Sequence, residues 1–381
     1  MKDISIIILI GGPALRMNPL SLNKNKCMIS FLGKPLLFYL IRELKSNGFS
    51  NFICTSEGFN GEVKNYFSNK KEIDIKMEYF TNIGVFGTAS IVKSIITSIE
   101  NTISDPFIVI YGDSLLKVDY NKMIEFHKEK KSFCTILYHQ PNFEHFQYEY
   151  HDKNMKLPNQ GPRTNYGVLD IAESNQVIRI EEKPLLSNIK LFKSPVANAA
   201  VYLLDKRITD FISDMDGIDF ALDVFPQILN RNIPCYGFNI ENGYRYDIGT
   251  ISNYYNIQMD IIKKKIDFDI HYSLIRDQLW IGKDLNLGSS IKMNIPILIG
   301  NNSKLCDYCI ISSSIIGNDV FIGKEVKIMN SIVLDGAVIG DHAIIVNSII
   351  GENTNILPFE NISPGTVING YNKKNFQFLI N

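Results

Sequence analysis

A repeat near the C-terminal end constrains the fold of this chain more than any other feature. Related tetrapeptides begin at Ser314, Ser331 and Ser348, so the repeat length is seventeen residues. Aliphatic residues recur between them, mostly at six-residue steps, at Ile316, Ile322, Ile328, Val333, Ile339, Ile345, Ile350, Ile356 and Ile362. Each repeat therefore holds three short strands, two steps of six residues and one of five, with one aliphatic side chain pointing inward from each strand.

This spacing is the hexapeptide pattern of a parallel β-helix, in which each coil buries its apolar positions only by stacking on the next coil. We expect the β-helix to span 281–370. Its first coil, around Ile281 and Leu287, is less regular, as a capping coil would be. Residues 263–280 are the predicted linker and 371–381 the predicted tail. Apolar coil edges favour self-association, so we also expect a homo-oligomer.

The first 262 residues alternate predicted strands and helices. The apolar run 6–10 breaks into Gly11-Gly12, and the run 106–111 leads into Gly112-Asp113. Such alternation predicts an α/β sheet, and α/β sheets bind ligands at the carboxyl ends of their strands. Gly12 and Asp113 both fall at such ends.

Three further segments carry specific expectations. Residues 141–165 have no clear periodicity, which predicts a long loop of the kind that is often functional. Residues 219–229 are predicted to be helical, although Pro226 fits poorly in a helix interior. Asp247 is predicted on a turn before a helix over 251–265.

Composition narrows the class of protein. A chain of 381 residues exceeds the usual size of a single core, so two domains are expected. The charges nearly cancel, with 39 basic against 40 acidic residues, so neither nucleic acid nor a membrane is an expected partner. Six scattered cysteines are typical of reduced thiols and a cytoplasmic location.

The opening motif suggests a phosphate-binding loop. Glycines allow a backbone to approach a phosphate closely, and the amides of the loop can line an anion site. Arg16 lies just past Gly11-Gly12, and Lys26 lies ten residues beyond Arg16. Two such cations could take up phosphate charge.

The chain resembles the sugar-1-phosphate nucleotidylyltransferases, and the resemblance extends over essentially its whole length. The family signature Gly-Gly-x-Gly-Thr-Arg-Leu-x-Pro-Leu-Thr is matched at Gly11, Gly12, Arg16, Pro19 and Leu20, although Ala14-Leu15 replace its Gly-Thr. Further matches follow in the family's order: Lys26, Gly87-Thr88-Ala89, Gly112-Asp113, Tyr166-Gly167-Val168, Glu182-Lys183-Pro184, Asn198-Ala199 and Asp247-Ile248-Gly249-Thr250. Ala200 stands where the family has glycine.

The resemblance implies the fold and the reaction. The fold would be a Rossmann-like mixed-sheet nucleotidyltransferase domain over 1–262, followed by a left-handed parallel β-helix. In the family's reaction, a sugar-1-phosphate oxygen attacks the α-phosphorus of a nucleoside triphosphate and pyrophosphate leaves. Charge stabilisation by cations and Mg²⁺ carries most of such catalysis.

The resemblance also implies the residue roles. Arg16, Lys26 and Lys183 would act on the reacting phosphates, and Asp113 and Asp247 would hold Mg²⁺. The backbone at Leu9, Gly11 and Gly12, with Gly87 and Thr88, would face the base and ribose. The sugar pocket would be lined by Gly167, Glu182, Lys183 and Asn198.

The substrate pair stays open at this point. Gly87-Thr88-Ala89 occurs in relatives that use GTP and in some that use TTP, and we favour guanylyl transfer to mannose-1-phosphate or a similar sugar. Thymidylyl or cytidylyl transfer to a non-standard acceptor is the alternative. A non-catalytic relative that binds a nucleotide sugar is another, because Ala14-Leu15 alter the phosphate loop.

Overall fold

The computed structural model describes residues 2–11, 14–56, 61–69, 73, 75–81, 84–99, 102–140, 162–241, 243–370 and 372–375. The chain forms two compact units. The first comprises Met1–Gly11, Ile41–Gly112 and Leu116–Arg245, and the second Gly12–Leu40, Asp113–Leu115 and Tyr246–Asn381. Because the chain enters each unit more than once, this division differs from a single cut at residue 262, and the domain boundaries stay predictions. Gly12 and most of the predicted 141–165 loop lie outside the described residues.

The α-helices within the described ranges are α1 (Leu36–Ser46), α2 (Glu62–Asn69), α3 (Thr88–Ser98), α4 (Tyr120–Glu129), α5 (Phe225–Asn230) and α6 (Ile251–Ile262). The strands up to residue 247 are β1 (Lys2–Leu9), β2 (Ser30–Phe31), β3 (Lys34–Pro35), β4 (Phe49–Ser56), β5 (Lys76–Thr81), β6 (Phe107–Tyr111), β7 (Ser114–Lys117), β8 (Cys134–His139), β9 (Val168–Ile171), β10 (Val177–Glu181), β11 (Pro195–Leu204), β12 (Cys235–Asn239) and β13 (Tyr244–Asp247).

The first unit is built on a mixed sheet. Its strand order is β10-β9-β11-β6-β1-β4-β5, and β8 pairs with both β11 and β12. Strands β6, β1, β4 and β5 are parallel, whereas β11, β9 and β10 add antiparallel pairs. The apolar runs of β1 and β6 are central and buried, as expected for strands covered on both faces. The predicted mixed α/β sheet is confirmed.

The helical prediction over 219–229 is confirmed with one refinement. A π-helical turn covers Phe220–Val224, and α5 begins at Phe225. Pro226 consequently lies in the first turn of α5, where its missing amide hydrogen costs nothing. The prediction that Asp247 lies on a turn was wrong, because Asp247 is the last residue of strand β13.

The second unit contains the β-helix. Its strands are β14 (Ser273–Arg276), β15 (Leu279–Ile281), β16 (Asn286–Leu287), β17 (Lys292–Ile299), β18 (Lys304–Leu305), β19 (Ile310–Ile316), β20 (Phe321–Ile322), β21 (Lys327–Met329), β22 (Ile332–Val333), β23 (Val338–Ile339), β24 (Ile344–Val346), β25 (Ile349–Ile350), β26 (Asn355–Ile356), β27 (Asn361–Ile362), β28 (Thr366–Asn369) and β29 (Asn372–Asn375). Strand β29 pairs antiparallel with β28, and it covers part of the predicted tail.

The coils stack in parallel with the predicted register. Ile315 pairs with Ile332, and Ile332 pairs with Ile349, each a step of seventeen residues. The inward aliphatic residues form one continuous buried core. The repeated serines are buried as well: the amide of Ser331 donates to Ser314 Oγ, and the amide of Ser348 donates to Ser331 Oγ, each at 3.1 Å. The serines therefore link successive coils, which explains why they recur with the aliphatic residues.

The segment that carries β2 and β3 also belongs to the second unit. Strands β2 and β3 form a short antiparallel ribbon. Phe31 packs edge-on against Tyr254 of α6 and against Phe268, with ring centroids 6.2 and 6.1 Å apart.

No helix in the described part of the chain is long and apolar enough to cross a membrane.

Candidate functional site

The predicted site residues fall into two clusters, one in each compact unit. The cation–carboxylate cluster consists of Arg16, Lys26, Asp113 and Asp247 and lies in the second unit. The strand-end pocket consists of Gly167, Glu182, Lys183 and Asn198 and lies in the first unit.

A short ion pair is the centre of the cation–carboxylate cluster. Lys26 begins a 3-10 turn whose N-cap, Asn25, accepts a hydrogen bond from the amide of Cys27. Asp113 lies two residues beyond the end of β6. Lys26 Nζ donates to Asp113 Oδ2 at 2.5 Å, with side-chain exposures of 16% and 36%. The capped turn thus holds the ammonium group against a carboxylate at a strand end.

Gly249 brings Arg16 and Asp247 into the same cluster. A β-carbon at Gly249 would lie 2.7 Å from Asp247 Oδ1 and 3.0 Å from Arg16 Nη2. The guanidinium and the carboxylate therefore flank the same glycine, which leaves them room. The Asn253 amide group of α6 donates to the Asp247 carbonyl at 3.0 Å and fixes the end of β13.

Both carboxylates act on Lys26. Burial lowers the pKa of Lys26, but the negative charges of Asp113 and Asp247 more than offset this, and the net pKa is raised. The ammonium group therefore stays charged. A phosphate bound here would compete with the carboxylates for the cations, and a divalent metal would compete with the cations for the carboxylates.

Asp113 and Asp247 fit a magnesium site by donor type. Mg²⁺ prefers hard oxygen ligands and is commonly held by one or two carboxylates, with the remaining positions filled by water and substrate phosphates. Within the described ranges, no group of three or more His, Cys, Asp and Glu side chains is gathered as metal ligands. The two carboxylates suit a metal that arrives with its nucleotide better than a metal held by protein ligands alone.

The strand-end pocket is assembled by backbone pairing around a glycine. Asn198 N in β11 donates to the carbonyl oxygen of Gly167, just before β9, at 2.9 Å. A β-carbon at Gly167 would lie 2.7 Å from Glu182 Oε2 and 3.5 Å from Asn198 Nδ2. Lys183 Nζ lies 3.7 Å from Glu182 Oε1. The four predicted residues therefore meet in one place.

A bulge in β11 orients Asn198. The pairing of β11 with β8 breaks between Asn198 and Tyr202. At the break, Ala200 has a φ of +58°, and its amide donates to Asn198 Oδ1 at 2.9 Å. Asn198 Nδ2 donates to Tyr202 OH at 3.0 Å. Both ends of the Asn198 amide are thus held by its own strand.

Burial controls the protonation of Glu182. Burial raises the pKa of Glu182 to about 7; the positive charge of Lys183 partly opposes this, and Asp219 adds to it. Near neutral pH the carboxyl group can therefore either donate or accept a hydrogen bond, and both suit a hydroxyl-rich ligand.

Gly87 and Thr88 lie against a distant segment of the first unit. Gly87 caps α3 with a φ of +86°, and a β-carbon there would lie 2.4 Å from the carbonyl oxygen of Ile218. Thr88 Oγ1 donates to Asp219 Oδ2 at 2.7 Å. Only glycine fits this close approach at position 87.

The other nucleotide-binding candidates lie at the end of β1. Gly112 N donates to the carbonyl oxygen of Leu9 at 2.9 Å, which ties the ends of β1 and β6 together. Gly11 follows β1 and is exposed.

Two contributors escaped the sequence prediction. Asp219 binds Thr88 across 131 residues, so no local pattern marks it. Arg163 Nη1 donates to the carbonyl oxygen of Lys183 at 3.0 Å, and Lys183 has a φ of +44°. Arg163 therefore supports a backbone conformation that is unfavourable for lysine. Its position within the predicted 141–165 loop was the available signal.

Two family profiles match the chain. The nucleotidyl transferase profile matches residues 5–154 and 143–264. The profile of the left-handed β-helix (LbH) domain of the EIF2B epsilon subunit matches residues 276–373. Together they cover both of the predicted parts of the chain.

Similar proteins transfer different nucleotides. A UTP–glucose-1-phosphate uridylyltransferase of Synechocystis is 23% identical over 83% of this chain and 79% of its own length. A putative mannose-1-phosphate guanyltransferase of Sulfolobus acidocaldarius is 25% identical over 82% and 76%. A glucose-1-phosphate adenylyltransferase of Clostridium perfringens is 26% identical over 85% and 81%. The transferred base differs among the three.

Proposed function

The chain belongs to the nucleotidyl transferase family, and we propose that it transfers a nucleoside monophosphate from a nucleoside triphosphate to a sugar-1-phosphate. In this reaction, an oxygen of the sugar phosphate forms a bond to the α-phosphorus. The bond from the α-phosphorus to the bridging oxygen breaks, and pyrophosphate leaves with the bonding electrons. The products are a nucleoside diphosphate sugar and pyrophosphate.

The observation that carries this proposal is the cation–carboxylate cluster. A decayed relative would have no reason to keep two carboxylates and two cations together, yet Lys26 contacts Asp113 at 2.5 Å and Arg16 and Asp247 flank the same glycine, Gly249. Arg16 would hold the departing β- and γ-phosphates. Lys26 would stabilise charge at the phosphates around the breaking bond.

Asp113 and Asp247 are the residues that would hold Mg²⁺. When bound, Mg²⁺ would neutralise phosphate charge and orient the triphosphate. Lys26 would release Asp113 as the metal and nucleotide enter, and its ammonium group would then be available to a phosphate oxygen.

The strand-end pocket is the proposed acceptor site. Lys183 would pair with the phosphate of the sugar, while Glu182 would bond its hydroxyl groups. Gly167 and Asn198 would line the pocket, and its hydrogen-bonding groups suit a sugar. Leu9, Gly11 and Gly12, with Gly87 and Thr88, would face the base and ribose.

The base and the sugar stay open. Guanylyl transfer to mannose-1-phosphate is our first expectation, on the basis of Gly87-Thr88-Ala89. Relatives that transfer UMP, GMP and AMP are all similar to this chain, so the panel must include every base. Cytoplasmic location and a homo-oligomeric state also stay predictions.

The test is pyrophosphate release in the presence of Mg²⁺. Purified protein is incubated with ATP, GTP, UTP, CTP or TTP, each paired with mannose-, glucose-, galactose- and N-acetylglucosamine-1-phosphate. We expect one or a few pairs to release pyrophosphate only when both substrates are present. Well-folded protein that binds nucleotide but turns over no pair would favour a non-catalytic binding role instead.

A further inference from the structure

One corner of the β-helix carries a row of polar side chains, which we call the corner row. Asn318, Asp335, Glu352 and Asn369 stand seventeen residues apart. Because the coils pair at that spacing as far as Ile349, Asn318, Asp335 and Glu352 stack along one edge of the β-helix, about 4.8 Å from one coil to the next. The last coil pairs at a step of eighteen, Ile349 with Val367, so Asn369 continues the row from beside Gly351, one position before Glu352. The row is bonded within itself, since Asn318 N donates to Asp335 Oδ1 at 2.9 Å.

The two C-terminal members of the row bind the chain near Arg16 and Lys26. Asn369 Nδ2 donates to the carbonyl oxygen of Pro19 at 2.8 Å. Lys24 Nζ donates to Glu352 Oε1 at 2.7 Å and to Oε2 at 2.5 Å. The Lys24 and Glu352 side chains are 25% and 23% exposed, so the pair is largely shielded from water.

The other two members bind the β2–β3 ribbon. Ser30 Oγ donates to Asp335 Oδ1 at 3.4 Å. Asn318 Nδ2 donates to the carbonyl oxygen of Gly33 at 2.9 Å. Every member of the corner row therefore touches one segment of the chain, residues 14–35, which we call the anchored segment.

The order of the contacts shows how the anchored segment lies on the β-helix. Positions 19, 24, 30 and 33 meet positions 369, 352, 335 and 318 in turn, so the segment runs against the direction of the coils, one coil per contact. A cavity of about 440 Å³, lined by Leu20, Lys24, Ile29, Leu334, Glu352 and Asn369, lies between them. Polar contacts therefore hold the segment along the corner row, in addition to the apolar packing of buried residues such as Ile29 and Phe31.

We propose that the corner row positions the phosphate-binding residues Arg16 and Lys26. Lys26 lies two residues after Lys24, and Arg16 lies three residues before Pro19. The ion pair of Lys24 and Glu352 and the bond from Asn369 therefore fix the backbone on which both catalytic candidates stand. Asn318, Asp335, Glu352 and Asn369 are positioning residues, and their role in phosphate binding rests on the proposed function.

The Lys24–Glu352 pair offers a test by charge exchange. The variants are Lys24→Glu, Glu352→Lys and the double exchange, which restores an ion pair of opposite polarity. Glu325→Lys is the matched control, because Glu325 lies in the same β-helix and its ion-pair partner is His342, 3.6 Å away within that β-helix. Hydrogen–deuterium exchange of peptides covering 14–35 is followed without ligand, and binding of magnesium pyrophosphate is measured by calorimetry.

Each single reversal should accelerate exchange in the anchored segment and weaken pyrophosphate binding about threefold to tenfold, since it replaces a shielded attraction with repulsion. The double exchange should return both quantities to within about twofold of the unmodified protein. Glu325→Lys should change neither. In an active enzyme, the KM for the nucleotide should rise, while the KM for the acceptor stays constant.

Several results would overturn the proposal. If residues 14–35 show the same hydrogen exchange in the single variants as in the unmodified protein, the corner row does not hold the segment. The same conclusion follows if the double variant restores neither hydrogen exchange nor pyrophosphate binding. If a reversal prevents folding, the milder Glu352→Gln should still raise exchange at 14–35. Because exchange is measured without substrate, it judges the corner row even if no substrate pair is turned over, which would be a failure of the proposed function alone.

Discussion

Lys26 Nζ and Asp113 Oδ2 lie 2.5 Å apart, and the same lysine also feels the charge of Asp247. If Asp113 and Asp247 hold Mg²⁺ as proposed, Lys26 would neutralise both carboxylates in the absence of the metal–nucleotide complex. Metal binding and release of the lysine would then be coupled, because the ammonium group and the metal would compete for the same carboxylate.

This competition makes Lys26→Met informative. Removal of the ammonium group should tighten the binding of Mn²⁺ alone, because Asp113 and Asp247 lose their internal counter-ion. The same change should lower turnover about a hundredfold or more, since the phosphates lose a stabilising donor. Mn²⁺ affinity is measured by calorimetry or electron paramagnetic resonance. Lys122→Met, at a lysine whose side chain is 61% exposed, is the control and should alter neither quantity. Unchanged metal affinity in Lys26→Met would argue against competition.

Glu182 should make stability depend on pH. Burial raises the pKa of Glu182 from 4.5 to about 7, so the folded protein holds this proton more tightly than the unfolded chain. Its contribution to stability is complete below the unfolded value and is lost as pH rises through about 7.

Relative to Glu182→Gln, the free energy of unfolding should therefore fall by on the order of 2 kcal/mol between pH 4.5 and pH 8. Urea unfolding at several pH values gives the difference. Glu181→Gln, at the neighbouring residue that pairs with Arg179, should keep the pH dependence of the unmodified protein. If the free energy of unfolding depends on pH in the same way in the unmodified protein and in Glu182→Gln, the raised pKa of Glu182 is contradicted.

Gly167→Ala should impair the acceptor selectively. The added methyl group would lie 2.7 Å from Glu182 Oε2 and so displace that carboxyl group. We expect the KM for the sugar phosphate to rise about tenfold to a hundredfold, while the KM for the nucleotide stays within about twofold. Steady-state kinetics with each substrate varied in turn separates the two. Equal losses for both substrates would mean that the strand-end pocket is not an acceptor site.

Ala200→Gly should stabilise the protein. Ala200 has a φ of +58°, a region that costs alanine energy and is open to glycine. After allowance for the greater freedom of glycine in the unfolded chain, the expected gain is about 0.5–1 kcal/mol. Ala199→Gly is the matched control: Ala199 is buried, is not in this backbone region, and should lose stability. Chemical denaturation gives the sign of the change in the free energy of unfolding for both variants.

The parts of the fold that could be predicted are those set by local periodicity. Buried aliphatic residues at six-residue steps predict the β-helix, because each coil repeats the same environment. The glycines after β1 and the aspartate after β6 could be predicted from the sequence, because strand ends are marked by the residues that terminate them. Ala14 has an ordinary φ of −76°, so the absence of glycine there leaves the backbone unstrained.

The rest depended on contacts between residues far apart in the chain. Asp219 reaches Thr88 over 131 residues, and Asn369 reaches Pro19 over 350. The corner row follows the seventeen-residue period, but its members are Asn, Asp, Glu and Asn, and their shared role appears only when the anchored segment lies against them. Polar residues that recur at a repeat period are therefore candidates for contacts with another segment of the chain as well as for solvation.

Nucleotidyl transfer by this chain, as proposed, requires Asp113. The most direct measurement is mass spectrometric quantification of nucleoside diphosphate sugar made by the unmodified protein and by Asp113→Asn with the best substrate pair. We expect product from the unmodified protein and at least about a hundredfold less from Asp113→Asn, with similar melting temperatures. Equal product from both proteins would contradict a catalytic role for Asp113, and no product from well-folded unmodified protein with any pair would contradict nucleotidyl transfer itself.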